Sequence, residues 1–304
     1  MRYVVTGAAG FIGSHLAEAL LEAGHEVLGI DCFTDYYDPA LKEENARRIG
    51  VTRQDLAEDT LDFSGFDGVF HLAGQGGARS FGDTFHVHVR NNVLATERVF
   101  EAAARAGVRV VLASSSSIYG AAERYPTPEE TMPAPLSPYG VTKLAGEHLA
   151  EAFALSRALD VVVLRYFSVF GPRQRPDMAF ARIARALADS RPFDLYGDGT
   201  QRRGWTYVAD AVAATVAAME RGSGTYNVGG ALDASLLDAV AIFEQLAGRS
   251  LDLRPHASAA GDPERTNADT TRIRRELGWE PRTSLADGAR AQWEWQATRA
   301  SVQN

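Results

Sequence analysis

The sequence predicts an α/β protein: a doubly wound parallel sheet with helices on both faces, followed by a smaller C-terminal α/β lobe. Short apolar runs alternate with longer Ala-, Leu- and Glu-rich stretches through the first half of the chain. The run Val161–Tyr166 is dominated by β-branched residues, as in strands buried between two layers of helices. A glycine-rich turn at residues 7–13 joins the first apolar run to the first helical stretch, which is how a βαβ unit begins.

Strands and helices follow one another in the order that such a sheet requires. Strands are predicted at residues 3–5, 26–30, 68–72, 108–113 and 161–166. Helices are predicted at residues 14–22, 93–105 and 143–159, which are free of proline and rich in helix-forming residues. Gly24 is expected to end the first helix, and the Pro-rich residues 126–138 are expected to form a loop.

The second half of the chain differs in composition. Pro and Arg cluster at residues 171–177, and Gly is frequent at residues 197–204. We therefore expect a first domain that consists of residues 1–167, and we expect the chain to return to this domain at about residues 206–230. The second lobe is expected to consist mainly of residues 168–205 and 231–304.

Size and charge exclude several classes of protein. The chain has 304 residues, of which 45% are apolar and 23% charged, enough for a sizeable core and unlike a disordered chain. Its 39 acidic and 31 basic residues give a net charge of −8, which favours neither nucleic acid nor an anionic membrane as partner. An anionic small substrate would therefore need arginines placed locally.

Cysteine and histidine usage bears on compartment and metals. Cys32 is the single cysteine, so an internal disulfide and a cysteine zinc site are excluded. This favours a reducing, cytoplasmic compartment. We expect no membrane span, because no apolar run reaches about 18 residues. We also expect no signal peptide, because the apolar run at residues 3–5 is only strand-length and is followed at once by Thr6-Gly7. The seven histidines show no metal-ligand spacing, and no metal is predicted.

The first motif is a phosphate cradle. Gly7 permits a tight turn, Gly10 allows a pyrophosphate to approach the backbone, and Gly13 allows helix and strand to pack closely. The helix N-terminus then supplies unpaired N–H groups to the phosphates. Asp31, at the end of the second strand, would accept hydrogen bonds from the adenine ribose and repel a 2′-phosphate, which favours NAD over NADP. A purely structural turn is the alternative.

The second motif pairs a tyrosine with a lysine. Tyr139 and Lys143 are four residues apart at the start of a predicted helix and therefore share a face. A nearby ammonium favours the phenolate, which can take a proton from a sugar hydroxyl while hydride leaves the same carbon. Ser115 follows a predicted strand, where ligands bind in such sheets, and could share that hydrogen bond. Taken alone, such a pair is common in proteins and is far more often an ordinary surface pair of a helix.

Together these motifs resemble the extended short-chain dehydrogenase/reductase superfamily, in its nucleotide-sugar epimerase/dehydratase branch, which has a Rossmann-type fold. The resemblance extends over nearly the whole chain. It includes Thr6-Gly7 to Gly13, His71-Leu72-Ala73, Asn92-Val93, the serine run 114–117, Tyr139 to Lys143, residues 165–172, residues 197–210, residues 226–229 and residues 277–281. The stretch from Asp31 through Tyr36-Tyr37-Asp38-Pro39 to Lys42 looks most like UDP-glucuronate 4-epimerases.

The resemblance implies a set of functional residues. Ser115, Tyr139 and Lys143 would be catalytic. The residues near a tightly bound, catalytic NAD would be Gly7, Gly10, Phe11, Ile12, Gly13, Asp31, Asp55, Leu56, Leu72, Ala73, Asn92, Tyr139, Lys143 and Tyr166. A UDP-sugar would be bound by Arg79, Ser80, Ser168, Tyr196, Arg203 and Arg265. It also implies a homodimer formed through the helices that carry Asn92 and Lys143.

Several positions depart from the family pattern. Ser116 and Ser117 stand where 4,6-dehydratases carry an Asp-Glu pair, which disfavours that elimination. Ser168 stands where Asn is usual, and Gly204 where Asp follows the phosphate-binding Arg203. Arg265 is expected to replace an arginine missing from the preceding segment. These differences leave the identity of the sugar open.

The reaction remains a choice among related outcomes of C4 oxidation. The first expectation is 4-epimerisation, in which the transient ketone is reduced from its other face. The main alternative is the 5,6-dehydration of UDP-N-acetylglucosamine, because the chain is also similar to the dehydratase that performs this reaction in the biosynthesis of the antibiotic tunicamycin. Glu123 is the candidate C5 base for this reaction. A 4,6-dehydratase, a decarboxylase or a simple reductase is more distant. A non-catalytic NAD-binding regulator is a further alternative, because fold alone does not fix function.

Overall fold

The computed structural model describes residues 1–77, 82–230, 233–258 and 263–302. Its centre is a seven-stranded, fully parallel sheet with the strand order β11-β6-β5-β4-β1-β2-β3. The strands of this sheet are β1 (Arg2–Thr6), β2 (Glu26–Asp31), β3 (Val51–Arg53), β4 (Gly68–His71), β5 (Arg109–Ser115), β6 (Val161–Tyr166) and β11 (Gly224–Val228). The predicted fold class is confirmed.

Helices cover both faces of the sheet. The helices are α1 (Phe11–Glu22), α2 (Pro39–Ala46), α3 (Phe85–His88), α4 (Ala95–Ala106), α5 (Pro138–Arg157), α6 (Ala179–Asp189), α7 (Val208–Arg221), α8 (Leu236–Ala247), α9 (Thr271–Leu277) and α10 (Leu285–Val302). A π-helical segment, Val89–Leu94, joins α3 to α4, and a 3-10 turn, Ser116–Ile118, follows β5. Among the described residues, no helix is both long and apolar enough to span a membrane.

Alternate residues of the strands pack into two separate apolar layers. On one face, Val5 of β1 packs in a cluster with residues of α1 and α7. On the other face, its neighbour Val4 packs with residues of α4 and α5. Because successive side chains of a strand point to opposite faces, a strand buried on both sides must be apolar throughout. This explains the continuous apolar runs seen in the sequence.

The remaining strands form small sheets beside the large one. The pairs are β7 (Val169–Phe170) with β10 (Thr206–Tyr207), β8 (Phe193–Tyr196) with β13 (Leu253–His256), and β9 (Arg202–Gly204) with both β12 (Asp233–Ser235) and β14 (Arg265–Thr266). Helices α6, α8 and α10 share a core with them. The strand β11 returns to the large sheet beside β6. A domain division at residues 167 and 168 remains a prediction.

Several element boundaries differ from the sequence expectations. The helix expected to open at Tyr139 begins one residue earlier, at Pro138, because the Ser137 hydroxyl accepts a hydrogen bond from the Gly140 N–H (3.1 Å) and Pro suits the first helical position. The strand expected at residues 108–113 extends to Ser115, so two residues of the serine run belong to β5. The strand β3 was not predicted, because three residues carry too little pattern.

Candidate active site

A cavity of about 440 Å³ opens where the strands of the large sheet end. It lies at the carboxyl ends of β1, β2, β4, β5 and β6, the edge at which ligands bind in doubly wound sheets. Of the residues predicted from the sequence, the following line it: Gly7, Gly10, Phe11, Ile12, Gly13, Asp31, Asp55, Leu56, Leu72, Ala73, Ser115, Tyr139, Lys143, Tyr166 and Ser168.

The glycine-rich loop is closely packed against its surroundings. Gly7 has a φ of +70°, a conformation that side chains rarely adopt. A Cβ on Gly13 would lie 2.1 Å from the Gly7 carbonyl oxygen, so only glycine lets α1 start this close to β1. Gly10 occupies the N-cap position of α1, but it has no side chain that could accept hydrogen bonds from the first N–H groups of the helix. The uncapped helix end therefore suits the phosphates of a dinucleotide.

Asp31 closes the cavity at the end of β2. One carboxylate oxygen accepts a hydrogen bond from the Phe33 N–H (2.8 Å) and the other from the Ala9 N–H (3.3 Å). These bonds fix the carboxylate between β2 and the glycine-rich loop. A carboxylate in this position fits the hydroxyls of an adenine ribose.

The lysine and tyrosine of the second motif project from the first turns of α5 into the cavity. The Lys143 Nζ lies 6.0 Å from the centre of the Tyr139 ring and donates a hydrogen bond to the Ala113 carbonyl (2.8 Å). Ser115, the last residue of β5, accepts a hydrogen bond from the Ser117 N–H at 3.1 Å. A phenol, a hydroxyl and an ammonium thus line one cavity, a set able to move a proton to and from a hydroxyl.

Asn92 supports this wall from behind. It is buried and does not line the cavity. Its amide accepts from the Gln75 N–H (2.6 Å) and donates to the Gln75 carbonyl and the Thr142 hydroxyl (3.0 Å each). It thereby joins the loop after β4 to the helix that carries Tyr139. Asn92 lies in the π-helical segment, and such distortions are often found at functional sites. The family resemblance implied Asn92 as a site residue, but the sequence pattern did not predict the π-helix.

Two predicted cofactor contacts have partners of their own. The Asp55 carboxylate accepts from Arg90 (2.8 Å) and the Ala57 N–H (2.9 Å). Burial alone would raise the pKa of Asp55, but these bonds and the Arg90 charge lower it. The Tyr166 hydroxyl shares a hydrogen bond with Thr215 (2.6 Å), and burial raises its pKa.

The sequence reasoning missed Arg175, which lines the same cavity as Tyr139. Burial lowers the pKa of Arg175, but its pairing with Asp177 outweighs this and raises it. Its guanidinium lies against Gly76, where a Cβ would come within 2.8 Å of it. Arg175 lies in the Pro- and Arg-rich segment already noted in the sequence. No local pattern distinguishes it from Arg173, which instead pairs with Glu18 of α1 at 2.7 Å.

Three predicted substrate residues lie in the small sheets and do not line this cavity. The Tyr196 ring stacks on His256 at 5.2 Å between centres. Arg203 on β9 and Arg265 on β14 lie on paired strands, and Arg265 binds Asp233 at 2.6 Å. Burial raises the pKa of Tyr125, whereas the charges of Arg203 and Arg265 oppose that rise. Arg203 and Arg265 thus lie together near Tyr125, in a different small sheet from Tyr196.

The remaining predicted residues lie elsewhere. Glu123 is exposed and is not among the residues that line the cavity. Arg79 and Ser80 lie outside the described residues. Within the described ranges, no group of three or more His, Cys, Asp or Glu side chains could hold a metal ion. The functional roles of the individual residues stay predictions.

Comparisons with known proteins agree on one family. The model of the NAD dependent epimerase/dehydratase family matches residues 3–229. An uncharacterized UDP-glucose epimerase, YtcB of Bacillus subtilis, is 40% identical over 95% of both chains.

Solved structures also align with the whole fold. A UDP-glucuronic acid 4-epimerase from Bacillus cereus, in complex with UDP-glucuronic acid and NAD, is 38% identical, with a TM-score of 0.94, over 98% of this chain and all of that one. TunA, an NAD-dependent NDP-hexosamine 5,6-dehydratase of tunicamycin biosynthesis, is 29% identical, with a TM-score of 0.89, over 98% of each chain. Both reactions considered from the sequence therefore occur among proteins of this fold.

Proposed function

The chain belongs to the NAD-dependent epimerase/dehydratase family, and we propose that it epimerises a UDP-hexose at C4 with a UDP-hexuronate as preferred substrate. It is an NAD-dependent enzyme. The observation that carries the proposal is that Arg175 lines the same cavity as Tyr139 and Lys143. A guanidinium near the reacting tyrosine suits a carboxylate at the adjacent C5 of the sugar.

The glycine-rich loop, the uncapped start of α1 and Asp31 would hold NAD. Bound NAD supplies oxidation and re-reduction at C4, so it is regenerated in each turnover. Because the reaction is redox-neutral, the purified enzyme should work without added cofactor.

The residues of α5 and β5 would move the proton of the C4 hydroxyl. Tyr139 takes this proton while Lys143 stabilises the phenolate by its charge. Ser115 holds the substrate oxygen by a hydrogen bond and thereby orients it toward Tyr139. After the sugar ketone has rotated and its opposite face has been reduced at C4, the same phenol returns the proton to the C4 oxygen.

The 5,6-dehydratase is the second candidate, supported by the similarity to TunA. That reaction needs a base at C5 and an acid for the leaving hydroxyl. Its proposed base, Glu123, is exposed and outside the cavity wall. The identity with the UDP-glucuronic acid 4-epimerase is also higher, at 38% against 29%. Both observations support epimerisation over elimination.

Two further proposals concern the oligomeric state of the protein and its location in the cell. Leu94 and the α5 residues Val141 and Leu155 are exposed apolar side chains (46%, 45% and 90%). They support a homodimer through these helices, which sedimentation would reveal as twice 32.9 kDa. The single cysteine, Cys32, supports a cytoplasmic location.

The test of the proposed function compares two substrates. The NAD-loaded protein is incubated separately with UDP-glucuronate and UDP-glucose, without added NAD, and the C4 epimers are quantified. We expect UDP-glucuronate to have the higher kcat/KM. Arg175→Ala should lower kcat/KM for UDP-glucuronate about 10- to 100-fold and for UDP-glucose much less, because only the former loses a charged contact.

The control is Arg185→Ala, which removes an exposed arginine from α6 outside the cavity. It should leave both substrates unaffected. Equal losses with both substrates in Arg175→Ala would contradict the assignment of a hexuronate.

A further inference from the structure

Arg175 enters the cavity already paired with a carboxylate of the same loop. Its Nε donates to one oxygen of Asp177 and its Nη2 to the other, both at 3.0 Å. Tyr36, from the loop between β2 and α2, donates its hydroxyl to Asp177 at 3.3 Å. Arg175, Asp177 and Tyr36 thus form one cluster, of which Arg175 and Tyr36 line the cavity.

The pairing leaves one edge of the guanidinium available. A guanidinium can bind two carboxylates side by side, through its Nε edge and through its terminal edge. Asp177 takes the Nε edge, and within the described ranges no hydrogen bond from Nη1 is found. Gly76 lies against the guanidinium plane and restricts its rotation. Arg175 therefore lines the cavity with its Nη1 group not engaged by Asp177.

The cluster is also close to neutral. Burial would raise the pKa of Asp177, but the bonds from Arg175 and Tyr36 and the Arg175 charge together lower it. Asp177 is therefore ionised at neutral pH and offsets the charge of Arg175. A neutral sugar would contact the Arg175–Asp177 pair, whose net charge is close to zero. An anionic sugar would bind the terminal edge of Arg175 while the negative charge of Asp177 lies a few ångströms away.

We propose that Asp177 determines how strongly this enzyme prefers UDP-hexuronates over neutral UDP-hexoses, acting as an internal carboxylate that positions Arg175 and reduces its effective charge. Tyr36 modulates this effect, because its hydroxyl bond disperses the charge of Asp177. The proposal rests on the proposed function, since it assumes that Arg175 faces the C5 substituent of the sugar. Asp177 is a positioning and specificity-determining residue, not a catalytic one.

The test measures binding, so that it does not depend on turnover. Tyr139→Phe is introduced as the background, and the NAD-loaded protein is titrated with UDP-glucuronate and with UDP-glucose by calorimetry. In this background, Asp177→Asn should raise the ratio of the two affinities about tenfold in favour of UDP-glucuronate. Two bare unit charges a few ångströms apart would change the ratio far more at an effective dielectric near 20, so the tenfold figure allows for screening by Arg175 and solvent. A purely structural role would weaken both ligands alike and leave the ratio unchanged.

A second variant gives the opposite sign. Tyr36→Phe removes the hydroxyl bond, concentrates the charge of Asp177, and should lower the ratio about twofold. The matched control is Asp189→Asn, because Asp189 also pairs with an arginine two residues away, Arg191 at 3.8 Å, but does not line the cavity. Its ratio should equal that of the background.

The outcomes separate the two proposals. An unchanged or reduced ratio in Asp177→Asn, or a shift of equal size in the control, overturns the role of Asp177. If Asp177→Asn does not fold, a raised or unchanged ratio in Tyr36→Phe overturns it instead. Absence of turnover by the protein with Tyr139 intact refutes the proposed function alone, because the affinity ratio is still measurable. Failure of both ligands to bind overturns both proposals.

Discussion

The tyrosine and lysine of α5 lie in the order and spacing that their sequence motif requires, and Ser115 ends the neighbouring strand. These residues were predictable because the spacing of Tyr139 and Lys143 on one helix and the position of Ser115 after an apolar run are local features of the sequence. Arg175 and Asp177 were not, because their significance depends on contacts with Gly76 and Tyr36, which are about a hundred or more positions away in the chain.

Tyr139→Phe tests the proton-transfer role at this scale. The ring stays in place while the hydroxyl is lost, so we expect kcat to fall by at least about 100-fold. The affinity for the UDP-sugar and the content of bound NAD should stay near those of the unaltered enzyme. Stopped-flow or end-point assays of epimer formation measure kcat, and calorimetry measures the affinity for the UDP-sugar. Retention of most of the activity would refute the role of the phenol.

A buried ion pair links α5 to β6, the strand that pairs with β5. Arg165 of β6 donates to Glu147 of α5 at 2.7 Å, and the Ser114 hydroxyl at the end of β5 donates to the same carboxylate. Glu147→Gln leaves a buried guanidinium without its counter-charge, and we expect a loss of about 3–5 kcal/mol in the free energy of unfolding.

Glu151→Gln on the same helix is its control. Glu151 is largely exposed, so the change should be within about 0.5 kcal/mol. Urea denaturation of the three proteins measures both values. Similar losses for the two variants would contradict the energetic importance of the buried pair.

At the scale of elements, the order of strands and helices followed from composition and periodicity, whereas some of their ends did not. The strand β5, for example, extends beyond residue 113 to Ser115, because Ser114 and Ser115 pair with residues of β6. The π-helical segment inserts Asn92 behind the site because it satisfies Gln75 and Thr142, which are tertiary contacts. Such distortions are fixed by packing and not by local propensity.

Two glycine-to-alanine substitutions test the packing of helices. At Gly13 the new Cβ would lie 2.1 Å from the Gly7 carbonyl, so Gly13→Ala should displace α1 and abolish retention of NAD. At Gly146, inside α5, the nearest atoms are 3.9 Å away, and alanine is a better helix former than glycine.

We therefore expect Gly146→Ala to be neutral or to stabilise the protein by up to about 1 kcal/mol. Thermal unfolding measures the stability, and the absorbance of the purified protein measures bound NAD. A Gly13→Ala protein that retains its NAD would contradict the close-packed cradle.

At the scale of the whole molecule, a few buried polar side chains lie among the apolar residues near the centre of the large sheet. His71 of β4 bridges the hydroxyls of Thr6 (2.8 Å) and Thr96 (3.0 Å). Burial, helped by the charge of Lys143, lowers the pKa of His71 from 6.5 to about 3. His71 is therefore neutral in the folded protein at pH 5, whereas the unfolded chain is protonated there.

This difference makes stability depend on pH. The contribution of His71 is complete above pH 6.5 and is lost as the pH falls from 6.5 toward 3, by up to about 1.4 kcal/mol per pH unit. His71→Asn should be less stable than the unaltered protein at pH 7 but should lose less on acidification to pH 5. Urea unfolding at several pH values measures this. Parallel losses in both proteins would refute the assignment.

The central claim, a redox-neutral epimerisation at C4, is tested most directly by one incubation. NAD-loaded protein is mixed with UDP-glucuronate in D₂O, without added cofactor, and the product is analysed by mass and proton NMR. The account predicts a product of unchanged mass, the C4 epimer, with no deuterium on carbon. A product lighter by one water, with vinyl protons, would show that the ketone undergoes elimination and would contradict it.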